Sequence, residues 1–372
     1  MKILIAGDFA PRNRIKERIL KEDYSFFDEV KGYTERSDYA IINFESPIVK
    51  DAVDPIRKTG PHLCCDKKAM TSVRYAGFNC VTLANNHFYD FGEAGVRDTI
   101  AACTEEGLDY VGGGVNITES ERILYKSVSG KSLAIINICE NEWSIASPER
   151  GGSAPLNVVH NIQNIRKAKK SADWVLIIVH GGTEMYQYPS PRMKELYRFF
   201  IDEGADAIIN HHQHCFSGYE YYKGKPIAYG LGNLCFDSDF RNSIWNEGYI
   251  VQVSLEEPQV SIELFPYIQC AEKPGILFLR DKNAFCKRIE EINQTIADDN
   301  ALEQEFSKMA LNKRELLLPF EPYNSKIGRI LMRRHLLPSY FTPKKKDLVL
   351  NLFRCESYRD ILFRLLANNS AE

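Results

Sequence analysis

Five short apolar runs in this 372-residue chain share one property: each stops at a side chain able to bind a metal ion or carry a proton. Lys2 to Ala6 (KILIA) leads into Gly7-Asp8, and Tyr39 to Phe44 (YAIINF) into Glu45. Asn79 to Ala84 (NCVTLA) leads into Asn85-Asn86-His87, and Asp173 to Val179 (DWVLIIV) into His180. Ala207 to Ile209 stops at Asn210 and is followed by His211, His212 and His214. Each run has the length and branching of a buried strand. Between them lie stretches with helical spacing, among them Val96, Ile100 and Cys103 before Gly107. Strands alternating with helices imply an α/β sheet, and the carboxyl ends of its parallel strands line one edge, where such sheets build sites.

The histidines narrow this further. Three of the eight in the chain fall within residues 211–214. Residues two apart in an extended segment point the same way. His212 and His214 are therefore expected to aim at one point, and His211 elsewhere. Asp8 and Glu45, at the ends of consecutive strands, would repel each other unless a cation or proton sat between them. Oxygen and imidazole donors without a thiolate suit Mn, Zn, Fe or Mg. Two such cations about 3.5–4 Å apart support phosphoester hydrolysis. His87 can then protonate a leaving group, with Asp90 orienting its ring. Each residue has a plainer reading: Gly7-Asp8 as a turn, Glu45 as a cap before Ser46-Pro47, the histidines as a solvated loop.

The rest of the chain sets expectations about organisation. Arg12 to Lys31 reads as one surface helix, Asn161 to Ser171 as a basic helix, and Ser190-Pro191 as a helix start. Leu133 to Cys139 reads as a strand. The triple glycine of Asp109 to Gly114 reads as a turn, since no phosphate-loop pattern surrounds it. Gly248 to Leu255 and Val260 to Tyr267 read as a hairpin around Glu256-Glu257-Pro258. Phe285, Ile289, Ile292 and Ile296 repeat at helix spacing. The expected division is a domain over 1–275 and a helical extension over 276–372. Residues 323–372 carry ten Lys/Arg against four Asp/Glu, a surplus that suits a solvated face, an anionic polymer or a membrane surface.

Composition excludes several classes. A formal net charge of −3 gives no general affinity for nucleic acid. No apolar stretch reaches the length of a membrane span, and the opening run is too short for a signal peptide. A soluble, cytoplasmic protein is the expectation. The ten cysteines form no CxxC pair, so reduced thiols packed as small hydrophobes are expected.

The motifs as a set resemble the bacterial CapA family of poly-γ-glutamate capsule synthesis proteins, similar in fold to calcineurin-like metallophosphatases. LANNHFYDFGEAG (Leu83 to Gly95) fits the family's LANNHxxDxGxxG. GADAIINHHQH and YYKGKPIAYGLGNLCFD resemble GADxVIGHHPH and YxGKPIxYSLGNFxFD, while NFESP, HGGTE and GDFAP resemble NLESP, HWGxE and the opening GD. The matches run in the family's order over roughly residues 1–255. The resemblance implies a four-layer α/β/β/α sandwich with two divalent metal ions. It makes Asp8 and His214 ligands of one ion and Asn86, His180 and His212 ligands of the other, with Glu45 as the bridge. It makes His87 the catalytic acid, supported by Asp90. Asn85, Glu184 and Asn233, inside matched motifs, are assigned to substrate contact. Gly181, Asn210 and Gln213 stand where the family has Trp, Gly and Pro, and Ala10 stands at the histidine of the phosphatase GDxH. The expected activity is metal-dependent hydrolysis of a phosphoester, on a small or polymeric anionic substrate. The alternative is a non-catalytic accessory protein that binds an anionic polymer in capsule assembly.

Overall fold

A computed structural model describes residues 1–51, 53–58, 60–239, 243–312, 322–343 and 345. The first half of the chain lays down parallel strands in order: β1 (Lys2–Phe9), α1 (Asn13–Leu20), α2 (Asp28–Thr34), β2 (Tyr39–Phe44), α3 (Lys68–Tyr75), β3 (Cys80–Thr82), α4 (Gly92–Glu105) and β4 (Asp109–Val111). There follow β5 (Gly113–Gly114), α5 (Ile117–Ser120), β6 (Leu124–Val128), β7 (Lys131–Cys139), β8 (Gly152–Ser153), α6 (Val158–Ser171), β9 (Trp174–His180), α7 (Pro191–Asp202) and β10 (Ala207–His211). The chain continues through β11 (Tyr219–Tyr222), β12 (Lys225–Ala228), β13 (Asn233–Cys235), α8 (Ser243–Asn246), β14 (Glu247–Ser254), β15 (Ser261–Gln269) and β16 (Ile276–Phe278). The remaining described helices are α9 (Asn283–Ala297), α10 (Asp299–Asn312) and α11 (Lys326–Arg333).

Two sheets result. One has the order β16-β15-β14-β1-β2-β3-β4, with β13 alongside β1; the other has the order β11-β12-β10-β9-β7-β6. β1 to β4 are parallel in the first sheet, and β7, β9, β10 and β12 in the second. The period-2 alternation of a strand splits the first sheet between two cores. Ile3, Ile5, Ile41 and Val251 share a core with Ile135, Ile177 and Ile208 of the second sheet. Their neighbours Leu4, Ala6, Ala40, Ile42 and Ile250 share the other core with Ile15 and Ile19 of α1, Val73 of α3 and Val96 of α4. The second sheet is covered by Ile165 of α6 and by Tyr197 and Phe200 of α7. These are the four layers of an α/β/β/α sandwich.

Three details depart from the sequence expectations or refine them. The expected helix over 12–31 is broken after Leu20. Glu22 takes a left-handed φ of 57°, and the Asp23 carboxylate accepts from both the amide and the hydroxyl of Ser25. The break turns Phe26 and Phe27 into the core, where they are 3% and 0% exposed. The glycine turn is dictated by packing: a Cβ on Gly112, at φ +84°, would lie 2.0 Å from Asn137 Oδ1. The expected 275/276 division also differs from the compact unit, which runs Met1–Phe306, with a second unit over Ser307–Glu372. The helical repeat explains why: Phe285, Ile289, Ile292 and Ile296 of α9 are buried in the same core as the second sheet. Within the second unit, α11 starts at Ser325, whose hydroxyl accepts from Gly328 N. Much of the basic tail, 346–372, lies outside the described residues.

Candidate metal centre

Strand ends from both sheets deliver the donors. Asp8 lies near the end of β1 and Glu45 one residue past β2; His180 is the last residue of β9. Asn86 and His87 follow β3, and His212 and His214 follow β10. All seven are buried, between 0% and 8% exposed. Two groups of donor atoms form, Glu45 with His180 and His212, and Asp8 with Glu45 and His214; within each, the atoms lie within 4.8 Å of one another. Glu45 belongs to both.

In the first group His180 Nε2 is 3.6 Å from Glu45 Oε1, 3.1 Å from His212 Nδ1 and 3.2 Å from Asn86 Oδ1. In the second, His214 Nε2 is 3.7 Å from Glu45 Oε1, and His214 Nδ1 is 3.6 Å from Asp8 Oδ2. Both oxygens of Glu45 are buried, with no hydrogen-bond partner among the described residues. A buried carboxylate with no donor is costly, and a divalent cation or a proton would satisfy it. The donors fit a divalent cation: oxygen and imidazole at the spacing of a shared carboxylate. They include one shared carboxylate and borderline imidazole nitrogens, a mixture that would suit Mn, Zn or Fe.

The surrounding residues fix these donors. Asn43 donates from Nδ2 to Asp8 Oδ1 at 2.7 Å and is itself held by Thr82, whose hydroxyl donates to Asn43 Oδ1. Asn233 accepts from His214 Nδ1 at 2.9 Å, which leaves Nε2 facing Glu45. Its amide also donates to the His214 and Trp245 carbonyls, so every polar atom of the Asn233 side chain is engaged within the protein. Asn233 is the register partner of Asp8 between β13 and β1. That pairing requires Gly7, because a Cβ there would lie 1.9 Å from the Gly232 carbonyl oxygen. Asn85 is also turned inward: it donates to the Phe44 carbonyl and accepts from His87 N. Glu184 is exposed on the loop after β9.

The electrostatics follow from burial. Burial raises the Glu45 carboxyl well above its ordinary value, and the neighbouring Asp8 charge adds to this. Burial would raise Asp8 too, but the His211, His180 and His214 rings beside it outweigh that and hold it below the carboxylate range. Burial also lowers His180 far below the usual imidazole value and His212 to about 4, in each case with a further push from a neighbouring ring. Asn43 Nδ2 and the His212 amide, 3.3 Å from Oδ2, also hydrogen-bond the Asp8 carboxylate. Neutral imidazoles present lone pairs, which a metal requires.

The strand-alternation argument for the histidines does not survive. β10 ends at His211, and His212 and His214 have φ of 88° and 54°, outside the extended region. A looped backbone, not a pleat, turns both rings inward. Nor does His211 point away: its Nδ1 is 3.3 Å from Asp8 Oδ1, at ion-pair distance.

His87 and Asp90 form an adjoining group. His87 Nδ1 is 2.7 Å from Asp90 Oδ2, and burial lowers the imidazole below its ordinary value. Lys58 reaches Asp90 Oδ1 and lies 3.2 Å from His87 Nδ1. Glu142 Oε1 lies 3.7 Å from His212 Nε2, and burial, then Glu184 and Glu140, raise its carboxyl. Sequence reasoning missed Asn43, Lys58, Glu142 and His211 as site neighbours. Asn43 sits in the NFESP motif and His211 in the histidine cluster, so both had a signal; Lys58 and Glu142 lie in irregular segments without one.

A four-layer α/β/β/α sandwich whose two sheets jointly present a shared-carboxylate donor set is a class built around a candidate divalent-metal site. The chain belongs to the bacterial capsule synthesis protein family PGA_cap, whose sequence profile matches residues 2–238. It is 32% identical over 300 residues to the capsule biosynthesis protein CapA of Bacillus anthracis, covering 78% of this chain and 72% of that protein. It is 30% identical over 236 residues to the PGA biosynthesis protein CapA of Bacillus subtilis strain 168, covering 63% and 62%. A probable polyglutamine synthesis accessory protein of Mycobacterium tuberculosis is 25% identical over 298 residues, covering 72% of this chain and 77% of that one. Among solved structures, a putative 5'-nucleotidase of Staphylococcus aureus in complex with alpha-ketoglutarate aligns with TM-score 0.45 and 13% identity, over 78% of this chain and 58% of that one. No helix among the described residues is long and apolar enough to cross a membrane.

Proposed function

We propose that this PGA_cap-family protein is a metal-dependent hydrolase of a phosphoester, acting in capsule or poly-γ-glutamate biosynthesis. One observation carries the reading: Glu45, common to both donor groups, has two buried carboxylate oxygens without a hydrogen-bond partner among the described residues. Asp8, Glu45 and His214 would hold one divalent ion, and Glu45, Asn86, His180 and His212 the other. Such ions supply a nucleophile at neutral pH and neutralise charge on phosphoryl oxygens. The protein's own part is orientation and proton transfer. Asn43 and Asn233 hold Asp8 and His214, and Phe236 and Trp245 pack on the His214 ring at 5.4 and 5.0 Å. His87, once Nε2 has taken up a proton, gives it to the leaving oxygen, while Asp90 takes the hydrogen bond from Nδ1.

The test combines metal analysis of purified protein with turnover of an aryl phosphate. Asp8→Asn and His212→Ala are expected to lose bound metal and at least about a thousandfold in kcat, with the far-ultraviolet circular dichroism unchanged. Turnover that survives both substitutions refutes the proposal. A second reading has one observation in its favour: Ala10 occupies the histidine position of the phosphatase GDxH. In that reading the chain is a polymer-binding accessory protein without catalysis. It predicts salt-sensitive binding of an anionic polymer that metal chelation does not alter.

A further inference from the structure

Lys58 comes from the irregular stretch after β2 and not from a strand end. Its side chain is 3% exposed and that of Asp90 is 0% exposed. The two carboxylate oxygens of Asp90 are divided between partners. Oδ1 receives the Lys58 ammonium, and Oδ2 lies 2.7 Å from both His87 Nδ1 and Leu63 N. The Asp90 main-chain carbonyl accepts from Ile56 N at 2.9 Å. His62 Nε2 lies 2.7 Å from the Ile56 carbonyl oxygen and closes the stretch on itself. One aspartate thus anchors this stretch through its backbone and both of its side-chain oxygens.

An aspartate that only oriented a histidine would need no buried ammonium. Leu63 N and His87 Nδ1 already occupy Oδ2, and the desolvation of Lys58 is a cost the fold must offset. Two acceptors 2.7 Å apart require a hydrogen between them, so the Nδ1···Oδ2 contact contains a proton. With the Lys58 ammonium donating to Oδ1 and Leu63 N to Oδ2, Asp90 is the acceptor in that contact and the hydrogen lies on nitrogen. Nε2 is then the ring atom left for chemistry. The ammonium's close contacts are Asp90 and His87, not the metal donors.

We propose that Lys58 is a positioning residue: it holds Asp90 in place, and so fixes the ring orientation and tautomer of His87. The proposal rests on the hydrolase reading for its kinetic consequence, but not for its structural one. Lys58→Met in the full chain, loaded with zinc, is expected to keep its metal content. Its kcat on the aryl phosphate should fall about 10- to 100-fold with KM within about threefold, and Lys58→Arg should recover part of the loss. Nitrogen-15 spectra of the imidazoles provide a readout that needs no turnover. The parent should show His87 protonated on Nδ1 alone, and Lys58→Met should show a mixture of tautomers. An unchanged tautomer and a kcat within twofold overturn the proposal. So does a rise in KM at constant kcat, which would mean that Lys58 meets the substrate itself. If the parent turns over no phosphoester, the hydrolase reading fails, and the tautomer alone decides the role of Lys58. Should Lys58→Met not fold, Lys58→Arg decides it: the Nδ1 tautomer kept, with kcat reduced, supports the proposal, and the tautomer lost in a folded protein overturns it.

Discussion

The metal-donor group and the His87–Asp90–Lys58 group touch in space but are opposite in how their charges are settled. In the second, each polar atom facing its neighbours is answered from within: ammonium to carboxylate, carboxylate to imidazole and amide. In the first, neither oxygen of Glu45 has a hydrogen-bond partner among the described residues, and burial lowers His180 and His212 side by side. One group is complete as folded; the other is poised for something the chain does not supply. The comparison separates the groups by experiment, because changes in the complete group should alter chemistry without altering metal content, and changes in the incomplete group should do the reverse first.

The largest separation is expected from His87→Asn. Loss of a positioned proton donor costs about 10²- to 10⁴-fold in kcat, and metal content should match the parent by elemental analysis. Metal loss in that variant would merge the two groups into one. Asn233→Ala should act from the other side. With nothing to receive the Nδ1 proton of His214, affinity for one of the two ions should fall about 10- to 100-fold, read as a single weakened step in a competitive chelator titration.

Glu45→Gln should give the smallest effect and the most diagnostic pH dependence. In the metal-free protein the folded Glu45 value is raised above the unfolded one, so the residue's contribution is intact below about pH 4.5 and is lost as pH rises. His180 and His212 are lowered, so their contribution is intact above about pH 6.5 and is lost as pH falls. The parent therefore balances two opposed slopes between about pH 4.5 and 6.5. Metal-free Glu45→Gln keeps only the histidine slope and should exceed the parent by about 1–3 kcal/mol near pH 8 in urea titrations. A metal-free parent that is the more stable of the two at pH 8 would show that Glu45 is satisfied without a cation.

The strands and the donors at their ends were legible because both depend on local pattern: branched apolar runs of strand length, cut off by a polar residue. The runs themselves gave an α/β sheet, and the sandwich was legible only through the resemblance of the motifs to a known family. What was not legible depended on the backbone leaving those patterns. His212 and His214 converge because their φ values are positive, which no periodicity announces. The helix over 12–31 breaks where Asp23 finds the Ser25 amide instead of a helical turn. α9 kept its helical signal, yet its burial in the main core depends on contacts with β-strands far away in sequence. Lys58 reaches the site from a segment with neither apolar period nor motif, so only three dimensions reveal it.

The backbone contact between Gly7 and Gly232 carries a consequence for how this lineage can change. A methyl group at Gly7 would push β13 away from β1 and carry off Asn233, the residue that steadies His214. Every candidate metal donor would still be present in such a descendant. A survey that judged competence by counting those residues would score it as intact, although the pair of backbones that keeps them in register had been prised apart.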